Sequence, residues 1–126
     1  MRPENPDFDV VRTAHVEYYV TNIEKSRAFY VDTLGLAETE SDDNQIYLRG
    51  LEDRSHHCLV LTKSSRPGVG HISYRLRKES DLKKVARLFD KLQLRYKWIN
   101  RESEERGQGL ALRGQDPLGF PVEPEV

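Results

Sequence analysis

The sequence predicts an α+β fold of two paired βαβββ modules, forming a curved mixed sheet around a cleft with the helices on its outer face. Three observations carry this expectation. The hydrophobic periodicity runs strand, helix, three strands, and then the same order again. His15-Val16-Glu17-Tyr18 returns as His71-Ile72-Ser73-Tyr74, the pattern His, β-branched, polar, Tyr. Leu48-Arg49-Gly50 returns as Leu112-Arg113-Gly114 at a slightly longer spacing, the extra residues falling in the polar loop Asn100–Gln108. At 126 residues the chain is about one domain long. Residues 1–11, rich in Pro and Asp, read as an N-terminal arm, and 12–126 as a single domain with module 1 about 12–63 and module 2 about 70–126.

The elements follow in order. Thr13–Val20 alternates, with Val16, Tyr18 and Val20 on one face and His15, Glu17 and Tyr19 on the other. Thr21-Asn22 offers a helix cap. Ile23, Tyr30 and Leu34, with Val31 alongside, then space a helix that Gly35 stops. Strands are expected near 36–40, 45–50 and 57–62, separated by the turn-forming Ser41-Asp42-Asp43-Asn44 and the polar Glu52-Asp53-Arg54-Ser55. After the connector Arg66–Gly70, the strand His71–Leu76 sets Ile72, Tyr74 and Leu76 on one face and His71, Ser73 and Arg75 on the other. Leu82, Val85, Ala86, Phe89 and Leu92 form a second helical stripe. Strands near 94–99, 109–114 and 120–123 complete the chain.

Composition narrows the function classes. With 20 Lys+Arg against 21 Asp+Glu the net charge is -1, without the basic excess that phosphate-binding partners require, so neither nucleic acid nor a membrane surface is expected as partner. A mean hydropathy of -0.74 and the lack of a long apolar run argue against a transmembrane helix. The single cysteine, Cys58, forms neither an internal disulfide nor a thiolate zinc cluster, and Met1–Pro6 has no apolar signal core. The expected location is the cytoplasm.

Duplication makes a spatial prediction. His15 and His71 begin equivalent strands, on the face opposite the apolar stripe, and so project together into the concave side of the sheet. Two imidazoles on neighbouring strands suit a divalent transition metal and need only a carboxylate to complete a facial site. Glu123 offers that carboxylate: after the turn Asp116-Pro117-Leu118-Gly119 it points inward while Val122 faces the core. The plainer alternative is a pair of hydrogen-bonded histidines and a solvated terminal glutamate.

The sequence resembles the vicinal oxygen chelate (glyoxalase, bleomycin resistance, dioxygenase) superfamily, and within it the type I extradiol catechol dioxygenases. The segments that carry this are Ser26–Leu36, Asn44–Gly50, His56–Thr62 and Asp116–Glu123. The resemblance implies an Fe(II) or Mn(II) ion held by His15, His71 and Glu123, a catechol-type diol and O2 as substrates, and ring cleavage beside the diol. It also implies that His57 handles protons on the O2 side, with His56 turned to the other face. A homodimer or higher oligomer is expected.

Departures from the family pattern define the alternatives. The family's catalytic domain carries a tyrosine where this chain has Arg113, and a histidine in the preceding loop where this chain has Glu102, Glu104, Glu105 and Arg106. The motifs look most like the metal-free N-terminal copy of a two-domain dioxygenase, and relatives continue past Pro124-Glu125-Val126 toward a second domain, so a non-catalytic domain without metal is one alternative. A glyoxalase-like isomerase is another, though its usual fourth carboxylate ligand has no counterpart in His57–Thr62. A small-molecule-binding resistance protein, its cleft lined by Tyr19, Tyr47 and Trp98, is a third. Cys58 reads as core filler, the basic run Arg75, Arg77, Lys78, Lys83, Lys84 and Arg87 as a solvated rim, and Asn100–Gln108 as a possible lid.

Overall fold

Strand β1 (Val10–Val20) starts just after Asp9 and leads into helix α1 (Ile23–Arg27), which continues as a π-helical turn over Ala28–Thr33. Strands β2 (Ala37–Ser41), β3 (Gln45–Arg49) and β4 (Leu59–Lys63) follow. The order then repeats as β5 (Gly68–Leu76), α2 (Glu79–Lys91), β6 (Tyr96–Ile99), β7 (Ala111–Gln115) and β8 (Pro121–Glu125). This computed structural model describes residues 7–100 and 109–126. Part of the expected arm, residues 1–6, and residues 101–108 of the expected lid lie outside the described residues. The fold is α+β with a mixed open sheet, as the periodicity predicts. No helix among the described residues is long and apolar enough to cross a membrane.

The chain forms two compact units whose boundaries fall inside β1 and inside β5. One is His15–Ile72, with strand order β2-β3-β4-β1-β5. Its β4 runs parallel to β1, pairing Val16 with Leu59 and Val20 with Lys63, and antiparallel to β3. The β2–β3 turn is closed by Asp42, whose carboxylate accepts from the backbone N–H groups of Asn44 and Gln45 at 2.8 and 2.9 Å. Ile46, Leu48, Leu59 and Leu61 form its buried core, packed by Val16, Tyr18, Val20, Ile23, Tyr30, Val31 and Leu36. The expected faces of β1 are therefore met.

Helix α1 starts as the sequence predicts, with Asn22 Oδ1 accepting from Lys25 N at 3.1 Å. It departs from the expected α stripe at the π turn, where Leu34 N donates to Phe29 O, five residues back. The wider turn rotates Leu34 away from the core, and it is 58% exposed. Gly35, at φ 81, then takes the left-handed conformation that ends the helix.

The other unit comprises the described residues of Met1–Ala14 and Ser73–Val126, with strand order β5-β8-β7-β6. Strands β6, β7 and β8 are antiparallel, Trp98 pairing with Leu112 and Gly114 with Val122. Leu82, Val85 and Ala86 of α2 bury against Leu76 and Leu112, with Phe89 packed alongside. Leu92 is not part of that stripe: it caps the helix and is 57% exposed. Residues before β1 are tied here, since Arg77 N donates to Asp9 O, Arg77 Nε to Asp9 Oδ2, and Lys84 Nζ to Asp7 O. Part of the basic run is thus anchoring and not merely solvated.

Candidate metal centre

All four histidines fall within His15–Ile72. Alternation along β1 puts His15 and Glu17 on the same face, opposite the core-facing Val16 and Tyr18, and β5 supplies His71. His15 and His71 are both buried, and their Nε2 atoms lie 2.9 Å apart. His71 Nδ1 sits 3.1 Å from Glu17 Oε1. A carboxylate only accepts, so His71 donates through Nδ1–H and, as a neutral ring, turns its Nε2 lone pair toward His15. Two imidazole nitrogens approach this closely only around a shared proton or a cation. The pair is therefore a fitting two-nitrogen donor set for a divalent transition ion, with the carboxylate-held second nitrogen typical of metal-binding histidines.

Glu17 is in turn held in place. Thr62 Oγ1 donates to Glu17 Oε2 at 2.6 Å, Gln45 Nε2 donates to Thr62 Oγ1 at 3.2 Å, and Tyr47 OH donates to Gln45 Oε1 at 3.0 Å. The sheet register aligns these groups, pairing Tyr19 and Gln45 with Thr62.

His57 is buried, its ring centroid 4.6 Å from that of His15 and 5.0 Å from that of Tyr47. His56 does not face away as expected. Its Nδ1 lies 2.8 Å from His57 Nδ1, and its Nε2 lies 2.9 Å from Glu40 Oε2. The reason is local: β4 begins only at Leu59, so strict alternation does not govern His56 and His57. Of the three aromatics considered for a binding cleft, Tyr47 is buried against these rings, whereas Tyr19 and Trp98 are exposed.

Glu123 belongs to the other unit, on β8, and is fully buried. Its backbone carbonyl accepts from Ser73 Oγ at 2.9 Å. Register Gly114↔Val122 puts Arg113 opposite Glu123, and the guanidinium contacts Oε2 through Nε at 2.7 Å and Nη2 at 2.5 Å. Arg113 thus supplies positive charge to the candidate ligand carboxylate. Cys58 packs on the core of its unit, and burial pushes its thiol pKa above the ordinary value.

Sequence reasoning did not single out Glu17, Glu40 or Thr62. Glu17 had a usable signal, standing two residues after His15 on the same strand face. Glu40 and Thr62 had none, because their partners are distant in sequence.

The profile of the Glyoxalase/Bleomycin resistance protein/Dioxygenase superfamily matches residues 12–123. A manganese-dependent 2,3-dihydroxybiphenyl 1,2-dioxygenase from Geobacillus genomosp. 3 is 34% identical over 115 residues, covering 91% of this chain and 36% of the relative. A metapyrocatechase from Geobacillus stearothermophilus is 32% identical over 120 residues, 95% of this chain and 36% of the relative. Among solved structures, homoprotocatechuate 2,3-dioxygenase from Brevibacterium fuscum, in complex with 3,4-dihydroxyphenylacetate, aligns with a TM-score of 0.89 at 41% identity. The match covers 98% of this chain and 38% of that one. The chain therefore spans little more than a third of the length of these relatives.

Proposed function

The chain belongs to the Glyoxalase/Bleomycin resistance protein/Dioxygenase superfamily, and we propose from this that it is an extradiol ring-cleaving dioxygenase of catechol-type substrates, or a domain of one. His15, His71 and Glu123 would hold Fe(II), or alternatively Mn(II): each is buried, and they offer two imidazoles and one carboxylate. The observation that carries the reading is the approach of His15 Nε2 and His71 Nε2 to 2.9 Å, with Glu17 holding the far side of His71. When bound, the ion supplies Lewis acidity favouring the deprotonated diol and the redox access that O2 chemistry requires.

The chain's own residues do the rest. Glu17 keeps His71 in the tautomer that offers Nε2. His57, its ring tilted against that of His15, would accept a proton from the diol and return it as the ring opens. Both oxygen atoms of O2 end in the product, so no external reductant is needed. The substrates are then a small aromatic diol and O2, with a cytoplasmic location, a homodimer or higher oligomer as the working assembly, and neither nucleic acid nor membrane as partner.

One observation favours a second reading, a non-catalytic domain without metal. Arg113 already provides the charge that Glu123 would find in a metal. Oxygen uptake by untagged protein, supplied with Fe(II) or Mn(II) and challenged with catechol and 3,4-dihydroxyphenylacetate, separates the two. Uptake that His71→Ala abolishes supports the dioxygenase; metal binding or uptake at no level in the wild-type chain supports the silent domain.

A further inference from the structure

Resting on the reading of His57 as the proton-handling group, we propose that Glu40 and His56 are positioning residues that fix His57 as its Nδ1–H tautomer and make Nε2 its proton-accepting nitrogen. The three residues form a hydrogen-bonded line within His15–Ile72: Glu40 on β2, then His56 and His57 in the segment before β4.

The direction of that line follows from donor counting. The Glu40 carboxylate only accepts, so His56 Nε2, 2.9 Å away, carries the hydrogen. A neutral imidazole has one N–H, which leaves His56 Nδ1 as an acceptor. The Nδ1···Nδ1 separation of 2.8 Å is a hydrogen bond with one proton in it, and that proton belongs to His57. His57 Nε2 then carries the lone pair. Tyr47 holds both rings edge-on, with centroids 5.3 Å from His56 and 5.0 Å from His57, so neither ring turns over without displacing a buried side chain.

The line also runs outward. Glu40 has 37% of its side chain exposed and His56 23%, whereas His57 is buried. Glu17 does for His71 what Glu40 and His56 do for His57: a carboxylate fixes which nitrogen of a buried ring faces its neighbours.

Two-bond 1H–15N correlation spectra of the metal-free 126-residue chain at about pH 8, above the usual histidine range, read each tautomer directly. The wild-type chain is expected to show His57 as Nδ1–H alone, and Glu40→Ala and His56→Ala each to convert it to a mixture containing Nε2–H. A wild-type His57 in the Nε2–H form overturns the proposal, as does an unchanged Nδ1–H form in both variants. Should either variant fail to fold, the wild-type spectrum alone decides. Because no metal is present, a separate elemental analysis finding no bound ion would overturn the metal reading and leave this assignment standing.

Discussion

Gly70 lies so near Glu17 that a β-carbon at position 70 would come within 2.1 Å of Glu17 Oε1, 2.7 Å of Cδ and 2.9 Å of Cγ. The missing side chain on β5 is what lets Glu17 reach both His71 and Thr62. Gly70→Ala must therefore displace the whole Glu17 side chain and release His71 Nδ1. Metal affinity, measured by calorimetric titration with Mn(II), is expected to fall about 10–100-fold. Gly68→Ala is the control, since its β-carbon meets Tyr19 Cδ2 at an ordinary 3.8 Å and should leave affinity unchanged.

Arg113 and Glu123 make the second prediction. Glu123 is fully buried while Arg113 keeps 27% of its side chain exposed. Removing the guanidinium in Arg113→Met leaves a buried carboxylate without its cation, at a cost of roughly 2–3 kcal/mol, reduced from a fully buried pair by the exposure of Arg113. If Glu123 is a metal ligand, Mn(II) restores most of that loss. Urea denaturation with chelator and with Mn(II) checks both halves.

Metal binding should also move a hydrogen between the two nitrogens of His15. In the metal-free state one hydrogen occupies the 2.9 Å gap between His15 Nε2 and His71 Nε2. An ion bound by both nitrogens displaces it, and since a neutral imidazole carries one N–H the hydrogen moves to His15 Nδ1. Two-bond 1H–15N correlation spectra with and without Zn(II), a diamagnetic probe ion, should show His15 change from the Nε2–H to the Nδ1–H form; an unchanged Nε2–H form would mean that the two rings do not share the ion.

Cys58 gives a pH prediction with a definite sign. Burial raises its pKa above the ordinary 9.0, so the folded state binds the thiol proton more tightly than the unfolded chain. The resulting stability is fully present below about pH 9 and is lost as the pH rises through the higher folded value. Wild-type protein should lose more stability than Cys58→Ala between about pH 8 and pH 10, and iodoacetamide should label Cys58 slowly at about pH 8.

Much of this was legible because strand phase and helix phase are local. The two-residue alternation placed His15 opposite the core, and the repeat placed His71 beside it in role. Leu82, Val85 and Ala86 could be read from spacing alone; Leu82→Ala should cost about 2–5 kcal/mol. Leu34 could not, because a single π turn shifts every later side chain and nothing in the residue types marks it; Leu34→Ser should change stability by less than about 0.5 kcal/mol. His56 was misjudged by extending the alternation of β4 two residues too far. Arg113 stood out as a departure, but its pairing with Glu123 depends on the β7–β8 register, which the sequence does not state.

The most direct measurement is the metal content of the untagged 126-residue chain loaded anaerobically with Fe(II) or Mn(II) and freed of excess ion. One ion per chain is expected, lost in His15→Ala and in Glu123→Gln while both variants remain folded. A wild-type chain that retains no ion, or a Glu123→Gln variant that retains it undiminished, would contradict the three-residue site.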